Sequence, residues 1–229
     1  MRSPNALILF DTSHNAAGAR DGLAPLGEDI AAELRAAYLV DAARRFRSLP
    51  LANLRILLSD VMLHPLAAAA APSAEIAMQN GYTAAERLID AFEDAFDAGH
   101  KHVLLVFADA LHAPLRAIET ACLVLDTFDD ALVLGPTESQ DVYAIGLRHP
   151  NDTLLAGIAG AAETPLLAGL GVVSPDESAV YSLMPWKTLG TKDELVRFIA
   201  EAENEDAATY AATFTCLARH AESFVTSVS

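Results

Sequence analysis

The stretch Lys101–Asp109, K-H-V-L-L-V-F-A-D, decides the fold. Val103, Leu104, Leu105, Val106 and Phe107 form an unbroken apolar run, closed by Ala108 and Asp109. A run this short and this apolar reads as a strand covered on both faces, as in the middle of a parallel sheet. In open α/β sheets ligands bind outside the carboxyl ends of the strands, where Asp109 falls. Asp109 is therefore either a site carboxylate or the cap of the next helix, with Pro114 in that helix's first turn.

Working outward, the same kind of run recurs at Ala6–Phe10, Leu54–Leu58, Ala131–Leu134 and Val142–Leu147, with shorter candidates at Ile76–Gln79 and Ala179–Met184. Helical spacing fills the gaps. Glu28–Phe46 carries Ile30, Leu34, Tyr38 and Ala42 at core intervals. Thr83-Ala84-Ala85-Glu86 is a capping box opening a helix that ends at Gly99. Leu115–Phe128 and Lys192–Ala202 are further helices, and Ala207–Val225 reads as one C-terminal helix packing Tyr210, Phe214 and Leu217. Thr153–Leu170 is a weaker helical stretch, and Leu66–Pro72 is an alanine run with no polar face, either helix or loose insert. Only Val142–Leu147 follows its predecessor by a short loop, so it turns back. Strand–helix alternation with long crossovers predicts a single α/β domain, a three-layer α/β/α sandwich on a mainly parallel sheet. The domain is expected over 1–200, with 201–229 a C-terminal helical extension packed on it.

Composition narrows the function. The 229 residues carry 31 acidic against 15 basic side chains, a net charge of −16. Without a basic run there is nothing to displace counterions from nucleic acid or to hold an anionic membrane. A small phosphorylated ligand stays open, because backbone N–H groups and a divalent cation can hold it. Cys122 and Cys216 form no C-x-x-C pair and read as reduced, buried thiols of a cytoplasmic protein. The N-terminus lacks the long apolar core of a signal peptide, and no run is long enough for a membrane span.

Thr12–Gly22 is a polar, small-residue loop after the first strand, the layout of a phosphate-binding turn without either glycine-rich fingerprint. Among the seven histidines none forms H-x-x-x-H. His100 and His102, before the strand, read as solvated. His112, three residues past Asp109, is either a surface histidine or a ligand or base of the same crevice. Trp186 in M-P-W-K is a packing residue or a stacking platform for a sugar.

The order of segments from Ala6 to Leu195 resembles the bacterial family of small GT-A-like, arsenosugar-biosynthesis-type glycosyltransferases, within the nucleotide-diphospho-sugar transferase superfamily. The family's first loop, A-P-x-P-G-x-x-K-T-R-L-A-P-x-L-G, ends here as Leu23-Ala24-Pro25-Leu26-Gly27, with Arg20, Asp21 and Gly22 in place of Lys-Thr-Arg. Its G-x-x-L-G-E-R-M is echoed by Gln79-Asn80-Gly81 and Ala84-Ala85-Glu86-Arg87. Its G-S-D-C-P lies over Phe107–Leu111 and keeps only Asp109. Its L-G-P-A-E-D-G-G-Y-Y-L-L-G-L lies over Leu134–Leu147 and keeps Gly135, Pro136, Glu138, Tyr143, Gly146 and Leu147, with Ser139-Gln140-Asp141 replacing D-G-G. Its D-x-D-T-x-x-D-L lies over Thr188–Leu195 and has lost the first two aspartates.

The resemblance implies a GT-A, Rossmann-like fold and glycosyl or nucleotidyl transfer from an activated nucleotide, with Mg²⁺ or Mn²⁺ against the diphosphate. Asp109 is then the metal or ribose carboxylate. Glu138 and Asp141 position the acceptor or a second metal. Asp11, Arg20, Gly22, Glu86 and Arg87 line the nucleotide. The alternative is a member that has lost catalysis and acts as a binding or partner protein, with a homodimer through the C-terminal extension left open.

Overall fold

A computed structural model describes residues 4–12, 22–138, 141–160, 179–201 and 204–225. The strands are β1 (Asn5–Phe10), β2 (Asn53–Leu58), β3 (Glu75–Met78), β4 (His102–Phe107), β5 (Ala131–Pro136), β6 (Val142–Leu147) and β7 (Ala179–Ser182). They form one sheet in the order β3-β2-β1-β4-β6-β5-β7. β6 runs antiparallel to both β4 and β5, while the remaining pairings are parallel. The carboxyl ends of β1, β2, β4, β5 and β7 therefore share one edge.

The helices are α1 (Glu28–Phe46), α2 (His64–Ala70), α3 (Ala84–Asp97), α4 (Leu115–Thr127), α5 (Asp152–Gly160), α6 (Lys192–Glu201), α7 (Asn204–Thr209), α8 (Ala211–Arg219) and α9 (Ala221–Val225). Alternation along the central strands assigns them to layers. Leu7, Leu9, Leu104 and Val106 pack with the apolar faces of α1, α2, α4 and α8. Ala6, Ile8, Phe10, Val103 and Leu105 pack on the other face with α3 and α5. This is the expected three-layer α/β/α arrangement.

Two local readings change, and one left open is decided. The alanine run is helical, as α2, because Ala67, Ala70 and Ala71 are small enough to lie buried against α1. The C-terminal stretch is not one helix. Tyr210 and His220 leave helical geometry (φ −110°, ψ 47° and φ −110°, ψ 23°), dividing it into α7, α8 and α9. The break at Tyr210 is held from outside the segment: the fully buried Asp41 carboxylate of α1 accepts the Ala212 and Thr213 amides at 3.1 and 2.8 Å, capping α8. That contact helps to bury α1 on every side from Ala37 to Ala43.

His100 and His102 are buried, not solvated. His102 Nδ1 lies 2.7 Å from Asn5 Oδ1 and 2.9 Å from Asp126 Oδ1, so β1 and α4 together cover the amino end of β4. Burial, with the nearby Arg148 charge, holds the His102 pKa below its usual value. The part of the glycine-broken stretch beyond Gly160 lies outside the described residues. No helix among the described residues is long and apolar enough to cross a membrane.

Candidate functional site

Asp109 does not cap α4. That helix begins at Leu115 after Pro114, and Asp109 sits six residues before Leu115 in a 3₁₀ turn, Ala108–Ala110. The turn is anchored from α1, where Arg45 Nη1 donates to the carbonyls of Leu111 and Ala113 at 2.6 and 2.8 Å. It is anchored again by Leu189, whose amide donates to the Asp109 carbonyl at 3.0 Å. Asp109 is thus held where β4 ends, beside the point at which the strand order departs from β1 in two directions.

Its carboxyl group is enclosed. Among the described residues Oδ1 has no hydrogen-bond partner. Burial first, then the charges of Glu194 and Asp141, push its pKa from 3.8 up to about 7. The Tyr38 hydroxyl of α1 is enclosed and unpartnered too, and burial and the Asp109 charge push its pKa well above the usual phenol value.

Glu194 enters from the start of α6, where Thr191 and Glu194 form a reciprocal cap: Glu194 Oε2 accepts the Thr191 amide at 3.0 Å, and Thr191 Oγ1 accepts the Glu194 amide at 3.2 Å. A Cβ at Gly190 would stand 3.0 Å from Asp109 Oδ2 and 3.9 Å from Glu194 Oε2, so the backbone passes between the two carboxylates. Asp141 is placed by a loop closure in which Thr137 and Asp141 exchange bonds at 2.8 Å.

A cavity of about 250 Å³ adjoins this cluster through Glu194 and Leu189. Its walls include His112, Trp186 and Phe198, with the His112 ring 6.0 Å from Trp186 and 5.5 Å from Phe198. His112 is thus a half-buried wall residue rather than a surface one. Glu138, Lys187, Arg197 and Glu201 supply its polar rim. Glu138 Oε2 lies 3.6 Å from Arg197, and Lys187 donates to Glu201 at 2.7 Å. The Lys187 bond and charge hold the Glu201 pKa below its usual value.

The other sequence candidates have local duties. Asp11, at the end of β1, is buried and accepts from the Ser59 amide at 3.0 Å and from the Ser59 hydroxyl. Glu86 accepts the Tyr82 and Thr83 amides, which hold its pKa below the usual value, and Arg87 donates to the Gly81 carbonyl at 3.1 Å. Both therefore serve the start of α3, on the β3 side of the sheet. Gly22 packs on Gly190-Thr191: a Cβ there would fall 2.6 Å from Thr191 Cγ2, and its carbonyl accepts the Lys192 amide. Arg20 lies outside the described residues.

Asp109, Asp141 and Glu194 are close enough to hold the Asp109 proton on. Among the described residues, however, their ligand atoms do not gather within 4.8 Å as a group of three. The donor set fits the mode in which Mg²⁺ takes one or two carboxylates and completes its shell with substrate phosphates and water. In that mode Asp109 would supply one carboxylate.

Residues 42–160 match the family model described as an uncharacterized protein conserved in bacteria, DUF2064. The chain belongs to this family. Among solved structures it is similar to a candidate nucleotide-diphospho-sugar transferase from Desulfovibrio desulfuricans G20, at 22% identity over 97% of this chain and 98% of that one, TM-score 0.74. It is also similar to the homolog of Mycobacterium tuberculosis Rv0371c from Mycobacterium sp. strain JC1, at 14% identity over 87% and 97%, TM-score 0.53. At these identities the likeness shows a shared fold. No curated protein matches the chain.

Within this family member, Glu194 is the site residue that sequence reasoning passed over. Its signal was the capping pattern Thr191-Lys192-Asp193-Glu194, which marks a helix start and, once folded, aims the same carboxylate at Asp109.

Proposed function

We propose that this chain is a nucleotide-diphospho-sugar-type transferase, moving a glycosyl or nucleotidyl group from an activated nucleotide bound over the carboxyl ends of β1 and β4. The observation carrying this reading is the enclosed Asp109 carboxyl group, raised to a pKa of about 7 between two further carboxylates and beside a cavity of acceptor size. Perturbed acidity in a crevice at a sheet's switch point is what a binding or catalytic carboxylate requires. Membership of the arsenosugar-biosynthesis-type subfamily, implied by the sequence resemblance, is the finer form of the same proposal.

Asp109 offers its carboxylate to a cation or a ribose hydroxyl. Arg20 contacts phosphate. Glu138 and Asp141 orient the acceptor, with His112 and Trp186 forming the apolar wall on which a sugar ring rests. Mg²⁺ or Mn²⁺, when bound, neutralises charge on the departing nucleotide. The −16 net charge of the chain makes that neutralisation more necessary here.

A second reading, binding without transfer, is favoured by the spread of the carboxylates, which leaves the cation short of protein ligands among the described residues. One experiment separates them. Nucleoside diphospho-sugars are titrated with and without Mn²⁺ while melting temperature and sugar release are followed. A metal-dependent rise with turnover supports transfer, and a rise without turnover supports binding alone. No rise with any nucleotide, with or without Mn²⁺, refutes both.

A further inference from the structure

We propose that Glu33, Cys216 and His220 form a binding site for a thiophilic divalent cation of the zinc type, clipping α8 to α1. The three donor atoms lie within 4.8 Å of one another. Glu33 Oε2 is 2.9 Å from His220 Nε2 and 3.9 Å from Cys216 Sγ. Ligand atoms around a tetrahedral zinc, with bonds of about 2.0–2.3 Å, stand roughly 3.3–3.8 Å apart. The two separations from Glu33 lie within a few tenths of an ångström of that range, and the thiol and imidazole stand within 4.8 Å of each other.

The local sequence makes this a designed arrangement of directions. Cys216 lies in the last turns of α8, and His220, the residue that ends the helix, donates its amide to the Cys216 carbonyl at 3.2 Å, which keeps the two residues together. Glu33 comes from α1, 183 residues before Cys216. A thiolate, an imidazole and a carboxylate are a zinc donor set, leaving the fourth position for water.

The electrostatics are permissive. Arg219 Nη1 holds Glu33 Oε2 at 2.8 Å, and that pair with His220 keeps the Glu33 pKa below its usual value. The Arg219 side chain is 60% exposed, so it can turn to solvent when a dication takes its place. Burial pushes the Cys216 thiol up to about 11 in the metal-free chain, and a coordinated cation reverses that preference. Binding exchanges the thiol proton, released to solvent, for the metal–sulfur bond, with no change of oxidation state. This site is separate from the Asp109 crevice and does not rest on the proposed transfer.

The test is cobalt(II) titration of the full chain. The expected result is a thiolate-to-cobalt charge-transfer band with tetrahedral visible bands, saturating at one equivalent and displaced by Zn²⁺. Cys216→Ser removes the charge-transfer band, whereas Cys122→Ser and Asp109→Asn keep it. His220→Ala, at the partly exposed helix end, keeps the circular dichroism spectrum and weakens cobalt binding by more than about tenfold, because losing a direct ligand costs more than losing a group that only orients one. Absence of the thiolate band, its survival in Cys216→Ser, or unchanged affinity in His220→Ala overturns the proposal.

Discussion

Replacing Asp109 with asparagine tests the site through the stability of the fold. In the folded chain Asp109 titrates at about 7 rather than 3.8. The folded state therefore binds more protons than the unfolded one between those values, and stability falls as pH rises through that window. The interval from 3.8 to about 7, at about 1.36 kcal/mol per pH unit, sets a ceiling of about 4 kcal/mol. Asparagine has nearly the same shape and no charge at any pH, so Asp109→Asn escapes the loss. We expect it to match the parent within about 1 kcal/mol near pH 4, where both side chains are neutral, and to exceed it by about 2–4 kcal/mol near pH 8. Urea denaturation followed by circular dichroism at several pH values measures this. Stability curves that run parallel in the two proteins, or an Asp109→Asn chain that is weaker at pH 8, would refute the claim that a buried charge is held here at a cost. On the proposed reading, the same substitution abolishes the metal-dependent rise with nucleotide, separating stability from function at one residue.

Asp41→Ala removes the carboxylate that caps α8 and should cost about 1–2 kcal/mol, with Asp41→Asn recovering part of it, as read from thermal melting and proteolysis of the C-terminal segment. Gly22→Ala places a methyl group 2.6 Å from Thr191 Cγ2 and 2.7 Å from the Gly190 carbonyl, and should cost about 1–3 kcal/mol in urea denaturation while displacing α6. Arg55 is buried and donates to Glu75 and Asp94 at 3.0 and 2.6 Å. Removing both carboxylates strands its charge and should cost about 3–5 kcal/mol by the same assay, whereas Arg55→Met, which removes the charge itself, should cost less than that double change.

The central sheet was legible because it is written in runs of apolar residues with no competing period. Val103–Phe107 could be nothing but a covered strand, and the short loop before Val142 already reversed β6. What escaped was decided by contacts across long separations. Nothing in the sequence around Asp41 marks it as the carboxylate that caps α8, and only the docking of α8 reveals that it interrupts the C-terminal helix at Tyr210. His100 and His102 read as solvated because charge and position were visible while Asn5 and Asp126 beside His102 were not. At the site, Asp109 was legible from its place at a strand end, but Glu194 was hidden inside a capping pattern. One carboxylate serves helix and crevice together, and a local pattern reports the local duty alone.

That double duty bears on how the crevice works. Glu194 is tied to Thr191, and Asp141 is tied through Thr137 to the end of β5. Neither can withdraw from Asp109 without loosening the element it holds, so the charge cluster is fixed by the fold rather than by side-chain choice. The relief open to the unliganded chain is a proton on Asp109, which near neutrality it half carries. A nucleotide diphosphate alone adds negative charge to this place and is repelled. On the proposed function, Asp109 would lose its proton when a cation bound with the nucleotide and neutralised the phosphate charge. Proton release on binding then measures how far Asp109 was protonated beforehand, and it should fade as the pH rises well above 7.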